Sequence, residues 1–162
     1  MIFIVLGTQK FQFNRLLKEV DVLIQNGVIT DKVFAQIGHS NYKPVNFEYR
    51  QFLSPMEFNQ LIENCSLLIT HSGVGTIVSG LKKRKPIIVC PRLQDYGEHV
   101  DNHQREIADD FVKIGYVLSC FDMHELSDKI EQSFKYKFVP YQSKKSNIIN
   151  VIRSFIDGGV KL

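Results

Sequence analysis

The sequence predicts an α/β domain in which helices cover both faces of a single parallel sheet. Three observations carry this. Short apolar runs rich in Ile, Val and Leu recur along the chain, longer stretches with apolar residues every three or four positions separate them, and two of those stretches open with capping residues. Unbroken apolar runs suit strands buried on both faces, because a sheet wetted on one side would alternate instead. With 162 residues, 44% of them hydrophobic, the chain can bury one core and is expected to form one domain over 1–162.

The first run, residues 2–6 (IFIVL), is too short to cross a bilayer. It has no basic stretch before it and no small-residue cleavage site after it, so it is expected to be a core strand. Phe13, Leu16, Leu17, Val20, Leu23 and Ile24 then define one face of a helix over 11–25, which Gly27 can end. A strand is expected at 32–37 and a short extended piece near 47–49. Ser54, Pro55 and Glu57 supply an N-cap, a first-turn proline and a capping-box glutamate for a helix that turns Phe58, Leu61 and Ile62 inward. A strand at 66–70 leads to a third helix starting after Gly75. That helix stops at the basic run 82–85, where positive charge complements the helix dipole.

Strands at 86–90 and 116–118 bracket a helix running through REIADDF. Asp122 and Glu125 read as a second capping box before Leu126 and Ile130. Ile148, Ile149, Ile152, Phe155 and Ile156 predict a final basic amphipathic helix over about 146–156. From residue 129 onward seven Lys or Arg face two acidic residues, so this end suits packing on the core or docking on a partner or an anionic membrane surface.

The net charge of +3 falls short of a nucleic-acid-binding signature. Cys65, Cys90 and Cys120 are odd in number, and Cys90 lies in an apolar run. They are expected as buried free thiols in a reducing cytoplasm, not as a disulfide framework or zinc site.

The strand-to-helix stretch His71-Ser72-Gly73-Val74-Gly75-Thr76 carries the chemistry. A glycine turn opening a helix aims unpaired backbone N–H groups and the positive end of the helix dipole at one point, which suits a phosphate. Ser72 and Thr76 add hydroxyls, and His71 adds a hydrogen bond or, if protonated, a charge. The plainer reading is a tight turn capped by Ser72. Competing motifs fail: Leu81 stands where a Walker loop needs lysine, Val78 where a dinucleotide fingerprint needs its third glycine, and Thr70 where a hydrolase elbow needs glycine.

In a parallel sheet the loop after residues 86–90 leaves the same edge. Glu98, Asn102, His103 and Gln104 there can donate and accept in pairs, as vicinal sugar hydroxyls require, or simply solvate a helix start. His99 and His103 are four apart, but no third His or Cys has ligand spacing, so no metal is expected.

The segments THSGVGTIVSGLKKRKPIIVCPRL and EHVDNHQREIA resemble the donor-binding C-terminal half of family 28 glycosyltransferases. With GTQKFQFNRLL and VFAQIGHSNY, the chain over about 1–135 is similar to the small soluble subunit of two-part bacterial capsule and exopolysaccharide glycosyltransferases. It is likewise similar to the catalytic subunit of the eukaryotic dolichol-linked N-acetylglucosamine transferase. The resemblance implies a single Rossmann-like domain, half of a two-domain GT-B enzyme. It implies that Ser72, Gly73, Val74, Gly75 and Thr76 meet the UDP diphosphate, that Asn102, His103 and Gln104 hold the donor sugar, and that Gly7, Thr8 and Gln9 face the inter-domain cleft. Ser79 stands where several relatives carry the glutamate that grips the ribose, with Glu98 as its substitute here.

The same resemblance implies inverting, cofactor-free transfer from a UDP-sugar, galactosyl or N-acetylglucosaminyl, to a lipid-diphosphate-linked saccharide. The acceptor site and general base would come from a membrane-anchored partner, with this chain peripheral at the cytoplasmic face. The alternative is a non-catalytic nucleotide-binding module that enhances an active partner. An orphan domain of this kind can also self-associate through its docking face.

Overall fold

The computed structural model describes residues 1–142. Six strands, β1 (Ile2–Val5), β2 (Val33–Gln36), β3 (Glu48–Arg50), β4 (Leu67–Thr70), β5 (Ile87–Val89) and β6 (Leu118–Ser119), form one sheet in the order β3-β2-β1-β4-β5-β6. Every pairing is parallel. Helices α1 (Asn14–Gln25), α2 (Pro55–Asn64), α3 (Val74–Lys82) and α4 (His103–Ile114) lie between strands, and α5 (Leu126–Lys135) follows β6. This is the doubly wound, Rossmann-like arrangement that the alternating runs predict.

The side-chain period of two sorts β1 between two cores. Ile2, Ile4 and Leu6 pack with Leu16, Leu17 and Val20 of α1 and Leu126 of α5. Phe3 and Val5 pack on the other face with Ile62 of α2, Ile77 and Leu81 of α3, and Ile107 and Phe111 of α4. The three cysteines are buried and free.

Topology sets where a ligand can sit. From β1 the chain winds outward through β2 and β3, then returns to β4 beside β1 and winds the other way. Val5 is level with both Gln36 and Thr70, so the loops after β1 and β4 leave the sheet side by side and diverge, opening a crevice at the switch point.

Several boundaries differ from expectation. Helix α1 starts at Asn14, not 11, because Ser40 Oγ accepts from the Phe13 amide and Gln12 Oε1 from the Asn14 amide, holding the stretch before it out of the helix. Helix α2 keeps its full capping box. Helix α3 starts at Val74 with Gly73 as its cap, so Gly75 lies inside the first turn. The second capping box does not form: Asp122 accepts from the His124 amide, and a 3₁₀ turn (Met123–Glu125) precedes α5. The helix expected over 146–156 lies outside the described residues.

Candidate functional site

The crevice is built from the end of β4. Thr76 and Ile77 donate their amides to the Gly73 carbonyl, and Gly73 donates its own to the His71 carbonyl. The Val74 and Gly75 amides, first and second in α3, have no acceptor among the described residues, and both belong to the exposed end of the helix. Ser72 Oγ is buried beneath them and is likewise unpartnered. The turn thus gathers three unspent hydrogen-bonding groups at the positive end of a helix, an arrangement that accepts an anion.

The glycines serve a purpose the sequence did not suggest. The His71 ring is wedged between Gly7 and Gly73: a Cβ on Gly7 would lie 2.5 Å from Cε1, and one on Gly73 2.5 Å from Nε2. Gly7 also has φ +72°, a conformation glycine tolerates best. A Cβ at Gly75 meets nothing within 4 Å, so its bare face opens to solvent. Burial, and then the charge of Arg92, push the His71 pKa down to about 4, against a partly restoring bond to the Val5 carbonyl. The imidazole of the free chain is therefore neutral at neutral pH, so of the two contributions expected of His71 the free chain offers the hydrogen bond.

Behind this turn lies an ionic array. Arg92, three residues past β5, is fully buried and donates from Nη2 to the carbonyls of Leu6 at 2.6 Å and Phe11 at 3.1 Å. Its Nε and Nη1 have no partner among the described residues. Burial lowers its pKa to about 10, still far above neutrality, so a positive charge sits below the crevice. Arg15 of α1 grips both Glu98 oxygens at 2.9 and 3.1 Å and donates to the carbonyls of Phe121 and Pro91, while Glu98 also accepts from the Leu93 amide. Glu98 is 1% exposed, and burial raises its pKa despite Arg15. In this structure its carboxylate braces the loop, spent on Arg15 and the Leu93 amide. Ser79 spends its own hydroxyl on the Gly75 carbonyl.

Several of the predicted residues surround a cavity of about 490 Å³ lined by Gln9, His71, Ser72, Gly73, Val74, His99, Asp101, His103, Gln104 and Ile107. Gln104 gives its side-chain carbonyl to the Arg92 amide. His103 heads α4 with Nδ1 2.8 Å from Glu106. Asn102 caps the loop by accepting from the Gln94 amide and lies off the lining, as do Thr8, Gly75 and Thr76. His99 pairs with Asp101 at 2.9 Å and stacks on Phe11. Among the described residues no three His, Cys, Asp or Glu form a metal-holding group.

Arg92, Arg15 and Asp21 went unassigned in the sequence. An arginine shortly after an apolar strand was the available signal for Arg92. Nothing local marked Asp21, which is buried and accepts from Tyr42 Oη and the amides of Val45 and Asn46 at 2.7 to 2.8 Å.

Residues 1–157 match the family described as glycosyltransferase family 28 C-terminal domain. The UDP-N-acetylglucosamine transferase subunit ALG13 of Candida albicans is 31% identical over 109 residues, 67% of this chain and 36% of that one. A UDP-N-acetylglucosamine--N-acetylmuramyl-(pentapeptide) pyrophosphoryl-undecaprenol N-acetylglucosamine transferase of Prochlorococcus marinus is 37% identical over 76 residues, 44% of this chain and 20% of that one. The solution structure of ALG13 superposes with a TM-score of 0.62 at 22% identity, covering 96% of each chain, a likeness of fold. The match spans 25% and 36% of the length of the first curated relatives.

Proposed function

The chain belongs to the glycosyltransferase family 28 C-terminal domain family, and from that premise we propose that it is the donor-binding part of a UDP-sugar glycosyltransferase that acts with a second polypeptide. The observation that carries this is the switch-point crevice. Two open amides at the start of α3, a buried unpartnered Ser72 hydroxyl and the Arg92 charge converge beside a cavity large enough for a sugar.

In the reaction the acceptor hydroxyl oxygen attacks the anomeric carbon and the bond to the diphosphate oxygen breaks. The hydroxyl proton passes to a base, and UDP leaves with the electron pair. Charge gathers on the departing diphosphate, where the α3 amides are aimed. One preorganised donor of this kind is worth roughly 3 to 4 kcal/mol at the transition state, so these groups supply the stabilisation without a cofactor. His103 and Gln104, which line the cavity, are the residues we assign to the sugar. The general base and acceptor site come from the partner, and back-side attack makes the transfer inverting.

A lipid-diphosphate-linked acceptor follows from the bacterial relative's printed substrate. Galactose and N-acetylglucosamine are the sugars proposed, the second favoured by the fungal relatives' names. A capsule or exopolysaccharide setting rests on the resemblance of the whole chain to two-part bacterial enzymes. Among the described residues no helix is long and apolar enough to cross a membrane, and we assign attachment at the cytoplasmic face to the partner.

Calorimetric titration with UDP, UDP-galactose and UDP-N-acetylglucosamine, alongside transfer assays with and without the partner, tests this. Micromolar to millimolar binding lost in Gln104→Ala, with transfer requiring both chains, is the expected result. A partner that turns over fully alone would make this chain an accessory nucleotide-binding module, and no binding to any of the three ligands would end the donor reading.

A further inference from the structure

The tautomer of His71 is set by its neighbours. Nδ1 lies 3.3 Å from the Val5 carbonyl and 3.4 Å from Thr70 Oγ1. The Thr70 hydroxyl donates its hydrogen to that same carbonyl at 2.8 Å, so both oxygens act as acceptors toward the ring. The ring proton therefore sits on Nδ1, and Nε2 carries a lone pair. Nε2 has no partner among the described residues and is the ring atom nearest the Cβ direction of Gly73, the cap of α3. The ring is 7% exposed and lines the cavity.

An anion seated on the Val74 and Gly75 amides thus meets a lone pair at its edge, acceptor against acceptor. The ring has little room to withdraw, because Gly7 and Gly73 both approach its Cε1–Nε2 edge so closely that only a residue without a Cβ fits at either. We propose that a nucleoside diphosphate ester binds this crevice together with one proton, which passes from bulk water to Nε2 of His71 and turns the lone pair into a donor to the diphosphate. No bond of the ligand breaks in this step. The inference rests on the donor-binding reading above and adds to it a coupling between ligand and pH.

Among the described residues, few charged and titratable groups surround the ring. Arg92, from the loop after β5, and His99 oppose a charge on it, the Val5 carbonyl favours one, and Asp101 and His103 line the cavity across from it. Glu98 offsets part of the Arg92 charge. In the free chain burial keeps the ring neutral, and the two negative charges of a bound diphosphate ester reverse that balance. Affinity should then climb as pH falls toward the value at which the free ring itself titrates, and level off below it.

The probe is UDP-N-acetylglucosamine, whose doubly esterified diphosphate has no ionisation near neutrality, unlike the terminal phosphate of UDP, which titrates at roughly pH 6. Calorimetry in two buffers of different ionisation enthalpy counts the protons taken up. The expected result is affinity that rises threefold or more from about pH 7.5 to about pH 5.5, with a limiting slope of about tenfold per pH unit. Proton uptake should accompany binding, and both effects should vanish in His71→Phe and persist in His99→Gln. Nitrogen-15 spectra of the wild-type imidazole supply a second readout that needs no variant: Nε2 bare in the free chain and protonated in the complex. Binding that changes by less than threefold, or a complex in which Nε2 stays bare, overturns the proposal while leaving donor binding in place. No binding at any pH removes both.

Discussion

Alanine at Gly73 and alanine at Gly75 should have opposite effects, although the two glycines are two residues apart in the same motif. At Gly73 the new Cβ would lie 2.5 Å from His71 Nε2 and 2.6 Å from Cε1, about 1 Å inside ordinary contact. The ring has little room to yield, since Gly7 lies so close to it that a Cβ there too would come within 2.5 Å of Cε1. Gly73 has φ −75°, a conformation alanine adopts freely, so the whole cost is steric. Overpacking of this kind costs about 1 to 3 kcal/mol, and loss of the Nδ1 bond to Val5 adds about 1 kcal/mol, giving about 2 to 4 kcal/mol for Gly73→Ala. Gly75→Ala meets no atom, and replacing a glycine within a helix gains up to about 1 kcal/mol.

Urea denaturation of the two variants, followed by far-ultraviolet circular dichroism, measures the contrast. Equal stability of the two, or a loss below about 1 kcal/mol for Gly73→Ala, would refute the wedge. Ligand binding adds a second contrast: the Gly75 methyl projects into the open space beside its free amide, so UDP affinity should fall in Gly75→Ala without any loss of stability.

Three other perturbations have defined outcomes. His71, held near 4 against an ordinary 6.5, binds fewer protons folded than unfolded between those values. Stability is therefore complete above about pH 6.5 and declines by about 3 kcal/mol as pH falls to about 4; denaturation midpoints against pH should lose that slope in His71→Phe. Glu98→Gln leaves Arg15 without its counter-charge and should cost about 3 kcal/mol in a denaturation experiment. Unchanged stability with lost UDP-sugar affinity would instead return Glu98 to the ligand. Asp21→Ala strands the Tyr42 hydroxyl and the Val45 and Asn46 amides, and should destabilise by about 3 kcal/mol while hydrogen exchange accelerates across residues 42–46.

Parallel strands and two-sided burial were legible in the chain because apolar runs and helical periods are local properties. The residues of β1, β4 and β5 lie inside the runs that predicted them, and Ser54, Pro55 and Glu57 cap α2 as their chemistry dictates. The strand-to-helix turn after β4 was equally legible, since a glycine-containing junction states its geometry within a few residues. Local reading erred where a distant group intervened. Helix α1 is shortened by Ser40, and the capping box at Asp122 gives way to a 3₁₀ turn.

By itself, then, the sequence determined the α/β class, the order of elements and the edge of the sheet from which the polar loops emerge. Only the tertiary structure decided what each polar group does there. Glu98 and His103 are five residues apart in one loop-to-helix segment, yet one is sealed against Arg15 from a helix 83 positions away and the other stands on the cavity wall. The tautomer of His71 depends on Val5, 66 positions distant, and the bareness of Gly7 and Gly73 on the ring between them. Periodicity and capping are written over a few neighbouring residues, whereas burial, charge pairing and proton placement depend on groups that meet only when the sheet assembles.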